Sequence, residues 1–277
     1  MEKFKLNPDT ILIPVVQHYI DLVVQKISER QALVSILVFG SAATGGYKSG
    51  VSDIDLLVIV AENTSRQQKK EIQEEELLLE IAYGLKKNSS SVKGAVASFI
   101  EKKGGNDLSC FVCTEKELLT GNLSAIFNLN RAEALFIDRI VFANIVSSAV
   151  TGTGKDLLPG IAIPPILSTD LVKAFFGFFS FQLLTLLLYP FLPDATKYAM
   201  GTLKRALHCS YFYCHSQSAA LEKEIHFFHS QMQTPAFIDL QKLRDNYTPS
   251  IAFVFHSFLL LPRLFLFAFR FCKPLKK

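Results

Sequence analysis

Asp53 and Asp55 stand one residue apart in "VSDIDLLVIV" (51–60), a run whose remaining residues from Ile54 to Val60 are all apolar. On a strand, residues two apart project from the same face. Both carboxylates then lie side by side, while Ile54 and Leu56 turn toward a core. Two such charges repel and are costly among apolar neighbours unless a cation neutralises them. Hard carboxylate oxygens suit Mg²⁺, or Mn²⁺ in its place, with water and phosphate oxygens completing the octahedron. Shortly before them, Gly40-Ser41 closes a first apolar run, "VSILVFG" (34–40). Gly at a strand end permits a tight turn and a close approach of phosphate to backbone. Loop N–H groups and the Ser41 hydroxyl can donate to anionic oxygens there. A phosphate cradle beside a carboxylate pair is the apparatus for metal-assisted nucleotidyl transfer.

The stretch "FGSAATGGYKSGVSDIDLLVIV" (39–60) resembles the signature of the nucleotidyltransferase superfamily related to DNA polymerase β. It is most similar to the minimal and antibiotic-modifying (aminoglycoside-type) branches. Gly40-Ser41, Gly45 and Ser52-Asp53-Ile54-Asp55-Leu56 occupy the signature positions. The resemblance implies Mg²⁺-dependent transfer of a nucleoside monophosphate from an NTP, expected to be ATP, to a hydroxyl of a small molecule or protein. Gly40 and Ser41 would grip the triphosphate, and Asp53 and Asp55 would hold metal. Family members usually carry a third carboxylate on a neighbouring strand. Glu101, at the end of "GAVASFIE", is the first choice, with Asp107 and Glu115 as alternatives. The helical domain of such transferases offers a cation to the phosphates, and Lys204 in "GTLKRALHCS" is the candidate. If no third carboxylate reaches the metal, the alternative is a nucleotide-binding regulator that transfers nothing.

These residues need two strands and a turn to position them. The runs at 34–40 and 53–60 have the β-branched, Gly- and Ser-bounded texture of strands. "SRQQKKEIQEEELLLEIAYGLKK" (65–87) follows with Ser65 as N-cap, and Leu77, Leu78, Ile81, Ala82 and Leu85 predict its buried stripe. "VKGAVASFI" (92–100) and "LSCFVCT" (108–114) read as further strands around the turn "EKKGGND". Strand–helix–strand order implies an α/β nucleotidyltransferase-type domain with a mixed sheet, residues 1–125. Past it the strand signals fade. Helices are expected near 131–150, 169–189, 195–215, 218–231 and 250–270, forming an all-helical domain over 126–277. "TGTGKD" (151–156) mimics a phosphate loop, but Ala149 and Asp156 stand where that motif needs Gly and Ser or Thr, so it reads as a connection.

Composition excludes other classes. With 49% apolar and 19% charged residues in 277, the chain is not disordered. Its formal charge of +4 does not mark a nucleic-acid binder. Five cysteines, an odd number, argue against a secreted disulfide scaffold. Cys110 and Cys113 are three apart on a strand and face opposite ways, so they do not converge on a metal. His226 and His229 share a helix face without a third ligand. The N-terminus holds charges and Pro8 where a signal peptide needs an unbroken apolar core, so the cytoplasm is the expected location. Two stretches, 174–192 and 246–262, lack Asp, Glu, Lys and Arg and approach the length of a membrane span. Both read as central bundle helices, buried on most sides; membrane contact, helped by Lys273, Lys276 and Lys277, is the less favoured reading. Oligomeric state is not legible in the sequence.

Overall fold

The computed structural model describes residues 14–28, 32–47, 54–83, 109–129, 138–192 and 194–272. They form two compact units, the first holding those of 14–83, 109–129 and 145–164, the second those of 138–144 and 165–272. The expected strand at 92–100 lies outside the described residues, as do Asp53, Glu101 and Asp107.

In the first unit the elements run α1 (Pro14–Ser28), β1 (Leu33–Phe39), α2 (Gly40–Ala43), β2 (Asp55–Val60), α3 (Arg66–Ala82), β3 (Cys110–Thr114), α4 (Glu115–Leu119) and α5 (Leu123–Ile126). Helix α6 (Arg139–Ser148) runs across the division and leads into β4 (Val150–Gly154). The described strands make one mixed sheet in the order β3-β2-β1-β4. β1 is antiparallel to β2 and β4, whereas β2 and β3 are parallel. A parallel pair needs a crossover, and α3 lies within it.

Alternation along β2 divides its side chains between the two faces. Ile54, Leu56, Val58 and Val60 join Val16, Tyr19, Ile20 and Val23 of α1 in one core. The other face carries Asp55, Leu57 and Ile59 by the two-residue period. Leu57 and Ile59 are buried there with Leu118 and Phe127. Phe111 stacks on Phe39 and meets Phe127 edge-on.

Three expectations change. The segment 151–156 is not a mere connection: residues 150–154 are β4, which pairs along the edge of β1, with Ser35 Oγ donating to Thr153 O at 3.0 Å. The sheet unit therefore draws on chain well past residue 125. Helix α3 starts where expected, with Ser65 and Gln68 in a reciprocal capping box. Its buried line, however, is Ile72, Glu76 and Glu80, and Leu78 is 65% exposed. The two glutamates turn inward because partners wait there. Tyr19 donates to Glu76 Oε1 at 2.6 Å, and Ser109 donates to Glu80. Burial, then the Glu76 charge, pushes the Tyr19 phenol far above its ordinary range.

The second unit is helical: α7 (Ser168–Leu187), α8 (Ala195–His215), α9 (Leu221–Met232), α10 (Pro235–Asp245) and α11 (Ile251–Phe271). Helix α10 falls outside the expected helices; Pro235 occupies its first turn, where the missing N–H costs nothing. Helix α8 is central, burying Leu203, Ala206, Leu207 and Phe212. Cys214 at its end is bonded to Cys272, just past α11. An odd count of five had concealed that pair. Helices α7 and α11 belong to the bundle but are not buried on most sides, since only 33% and 44% of the residues in their apolar stretches are buried.

Candidate functional site

The end of β1 and the start of β2 meet as a register pair, Phe39 opposite Asp55. Directly opposite residues share a face, so Asp55 projects from the side not packed on α1. Gly40 follows Phe39 at φ +67°, a left-handed conformation that an L side chain adopts only under strain. Its bare Cα also makes room: a Cβ there would lie 3.2 Å from Asp55 Cγ and collide with Oδ2. Glycine at 40 thus seats the carboxylate against the β1–α2 turn. The turn is held by Thr44, whose N–H and Oγ1 both donate to Gly40 O at 3.1 and 3.0 Å. Ser41 and Ala42 are buried in the single turn of α2. Gly45, at φ +78°, ends that turn with open space around its Cα.

The structure therefore brings together Gly40, Ser41 and Asp55 among the residues singled out from the sequence. The half-buried Asp55 carboxylate offers hard oxygens at a strand start, a donor type that fits a divalent cation such as Mg²⁺. Asp53 is two residues earlier in the chain, and its position lies outside the described residues. Among the described residues no cluster of three or more His, Cys, Asp or Glu is poised for a metal.

The remaining candidates are engaged in other ways. Glu115 opens α4 and pairs with Lys155 of the segment after β4. Glu117 pairs with Lys69 at 2.7 Å and caps α4 through the Thr114 N–H. Burial opposes ionisation of Glu117, but Lys69 and the Thr114 bonds outweigh it and hold the carboxyl below its usual range. β3 itself, Cys110–Thr114, bears no carboxylate. Cys110 and Cys113 are buried and are not joined in a disulfide. In the second unit Lys204 is half-buried on α8, one turn before His208. His208 Nδ1 lies 2.7–2.8 Å from the fully buried Glu224 carboxylate of α9. Burial raises Glu224, and the His208 and Lys204 charges work against that rise. Lys204 therefore shares an electrostatic cluster within its own unit. His226 is exposed, and His229 meets the Phe237 ring edge-on.

Comparison with known proteins agrees with the fold. No curated protein sequence is similar to the chain. A solved spectinomycin adenyltransferase from Enterococcus faecialis, crystallised with ATP and spectinomycin, has the same fold at TM-score 0.53 and 11% identity. The match covers 90% of this chain and 98% of that one. Residues 20–104 match the sequence model of the family described as "Nucleotidyltransferase domain". That span contains Gly40, Ser41, Asp53 and Asp55, and with the β1–α2–β2 geometry it shows that the chain carries a nucleotidyltransferase domain.

Proposed function

We propose that the chain transfers a nucleoside monophosphate from ATP to a hydroxyl of a small molecule, in the cytoplasm where the nucleotide is supplied. The observation that carries this reading is the seating of Asp55 against Gly40 at the paired ends of β1 and β2. The likeness in fold to an enzyme crystallised with ATP and spectinomycin supports both the donor and the acceptor class.

In this reading the β1–α2 turn receives the triphosphate. Ser41 is its candidate hydroxyl donor, and Thr44 keeps the turn closed through Gly40 O. Asp55, with Asp53, would hold Mg²⁺, which when bound lowers the pKa of the attacking hydroxyl and neutralises phosphate charge. The acceptor oxygen forms a bond to the α-phosphorus while the bond to the β-phosphate oxygen breaks, and pyrophosphate leaves. The hydroxyl proton passes to a carboxylate, for which Glu101 is the candidate. Lys204 is proposed as a point charge for the phosphates, which requires it to exchange its interaction with Glu224 for one with nucleotide.

Pyrophosphate release tests the proposal. The protein is incubated with each NTP, Mg²⁺ and a panel of polyhydroxylated small molecules, spectinomycin among them, beside Asp53→Asn/Asp55→Asn. Release in the wild type alone supports transfer. Nucleotide binding without release, with every acceptor and with cell extract, would leave the regulatory alternative in its place; the two lysine-paired glutamates after β3 are the observation on its side.

A further inference from the structure

Helices α7 and α11 share a polar contact in their buried seam. Gln182 donates to Ser257 Oγ at 2.7 Å and to Val254 O at 3.1 Å, all within the buried seam. Ser257 donates to Val254 O, and Thr185 to Phe181 O. A second set of apolar side chains faces outward. Phe255, Leu259, Leu266 and Phe269 are each about half exposed and repeat along one line of α11. Phe176 and Leu187 are exposed on α7. Phe179 and Phe258, with ring centroids 4.9 Å apart, join the two faces into one. The buried side of the pair is itself mostly apolar, with Leu171, Ala174, Phe253, Leu260 and Leu264 in the core, so the pair is apolar both inside and out, and a continuous exposed apolar face marks an interaction surface.

The charge beside that face names the occupant. Arg263 and Arg270 are exposed and seven residues apart, a pair of cations along one edge of the α11 stripe, with the exposed His256 seven residues before Arg263. Arg263 and Arg270, with Met232, Leu266, Phe267 and Phe271, line a shallow cavity of about 210 Å³. Arg263 donates to Met232 O, and neither arginine is paired with a carboxylate among the described residues. The sequence has no Asp or Glu after Asp245, and it ends in Lys273, Lys276 and Lys277. A two-fold contact between copies would place this surface on itself and supply no countercharge from α11. An anionic bilayer supplies both an apolar layer and phosphates at its edge.

We propose that the α7–α11 face docks on an anionic membrane surface, its Phe and Leu stripe at the acyl boundary and Arg263 and Arg270 on phospholipid phosphates. The proposal is independent of the transferase reading. It is tested by flotation of the full-length protein with phosphatidylcholine vesicles, with and without phosphatidylserine. Binding is expected to be at least about tenfold stronger to the anionic vesicles and to weaken with salt. Leu259→Asp/Leu266→Asp should abolish flotation with an unchanged far-UV circular dichroism spectrum, because both side chains already meet solvent. Arg263→Glu/Arg270→Glu should remove the preference for phosphatidylserine. Equal binding to both vesicle types overturns the role of the arginines. No flotation, with a dimer that Leu259→Asp/Leu266→Asp splits into monomers, overturns the docking and makes the face an interface between copies.

Discussion

Gly40→Ala is the substitution that separates a seat for Asp55 from an ordinary turn. Two costs are built into it. The left-handed backbone at φ +67° costs an alanine about 1–2 kcal/mol. The new Cβ also falls on the Asp55 carboxylate, which must retreat by about 1 Å to restore normal contact, and a displacement of that size at a reacting centre costs about 100-fold in turnover. In activation terms that is about 2.7 kcal/mol. Gly45→Ala supplies the control. Its backbone is equally left-handed, at φ +78°, but nothing lies within 4 Å of the added carbon. Both variants should lose about 1–2 kcal/mol in urea unfolding. Only Gly40→Ala should lose turnover in the pyrophosphate assay, while Gly45→Ala stays within about twofold of wild type. Equal turnover losses in the two variants, or full turnover in Gly40→Ala, would refute the idea that glycine at 40 positions the carboxylate.

Chelation by EDTA should abolish pyrophosphate release, and Asp55→Asn should lower it by about 1,000-fold with little change in melting temperature; Mn²⁺ titration followed by electron paramagnetic resonance should show the site lost in that variant. Asp138 is buried and accepts from the Val141 N–H at 2.9 Å, and burial, with help from Asp170, pushes its carboxyl up to about 6. A raised folded-state value favours the protonated form, so this contribution is complete below about pH 4 and is lost as pH rises through 6. Asp138→Asn keeps the helix cap and should match wild type at low pH but exceed it by about 3 kcal/mol at neutral pH, as read from unfolding curves. Cys214 and Cys272 are 58 residues apart, and closing that loop is worth about 4 kcal/mol in the chain-entropy picture. Cys214→Ser, or a reductant that opens the bond by mass spectrometry, should lower stability by up to that amount.

What could be read from the sequence has a local cause. Gly40 at a turn and Asp55 on a strand of period two follow from backbone geometry within a few residues, and the structure sets the Asp55 carboxylate against Gly40. The same locality explains Ser65 as a cap. Distant partners decide the rest. Glu76 and Glu80 count as polar in any periodicity, so the sequence points α3 toward Leu77 and Leu78. The helix turns to the glutamates because Tyr19, 57 residues away, and Ser109 await them. Thr151 to Gly154 has no apolar alternation, and it becomes a strand because β1 offers an edge on which Ser35 can also donate. The Phe-rich helices show the same limit from the opposite side. Their apolar content reads as core from either face, and only the inward turn of Gln182 onto Ser257 decides that Leu259 and Leu266 face out. The pair buries Gln182 on Ser257 and leaves Leu259, Leu266 and the two arginines outside, so its outer face is selected by a phase that is apolar within and anionic at its edge.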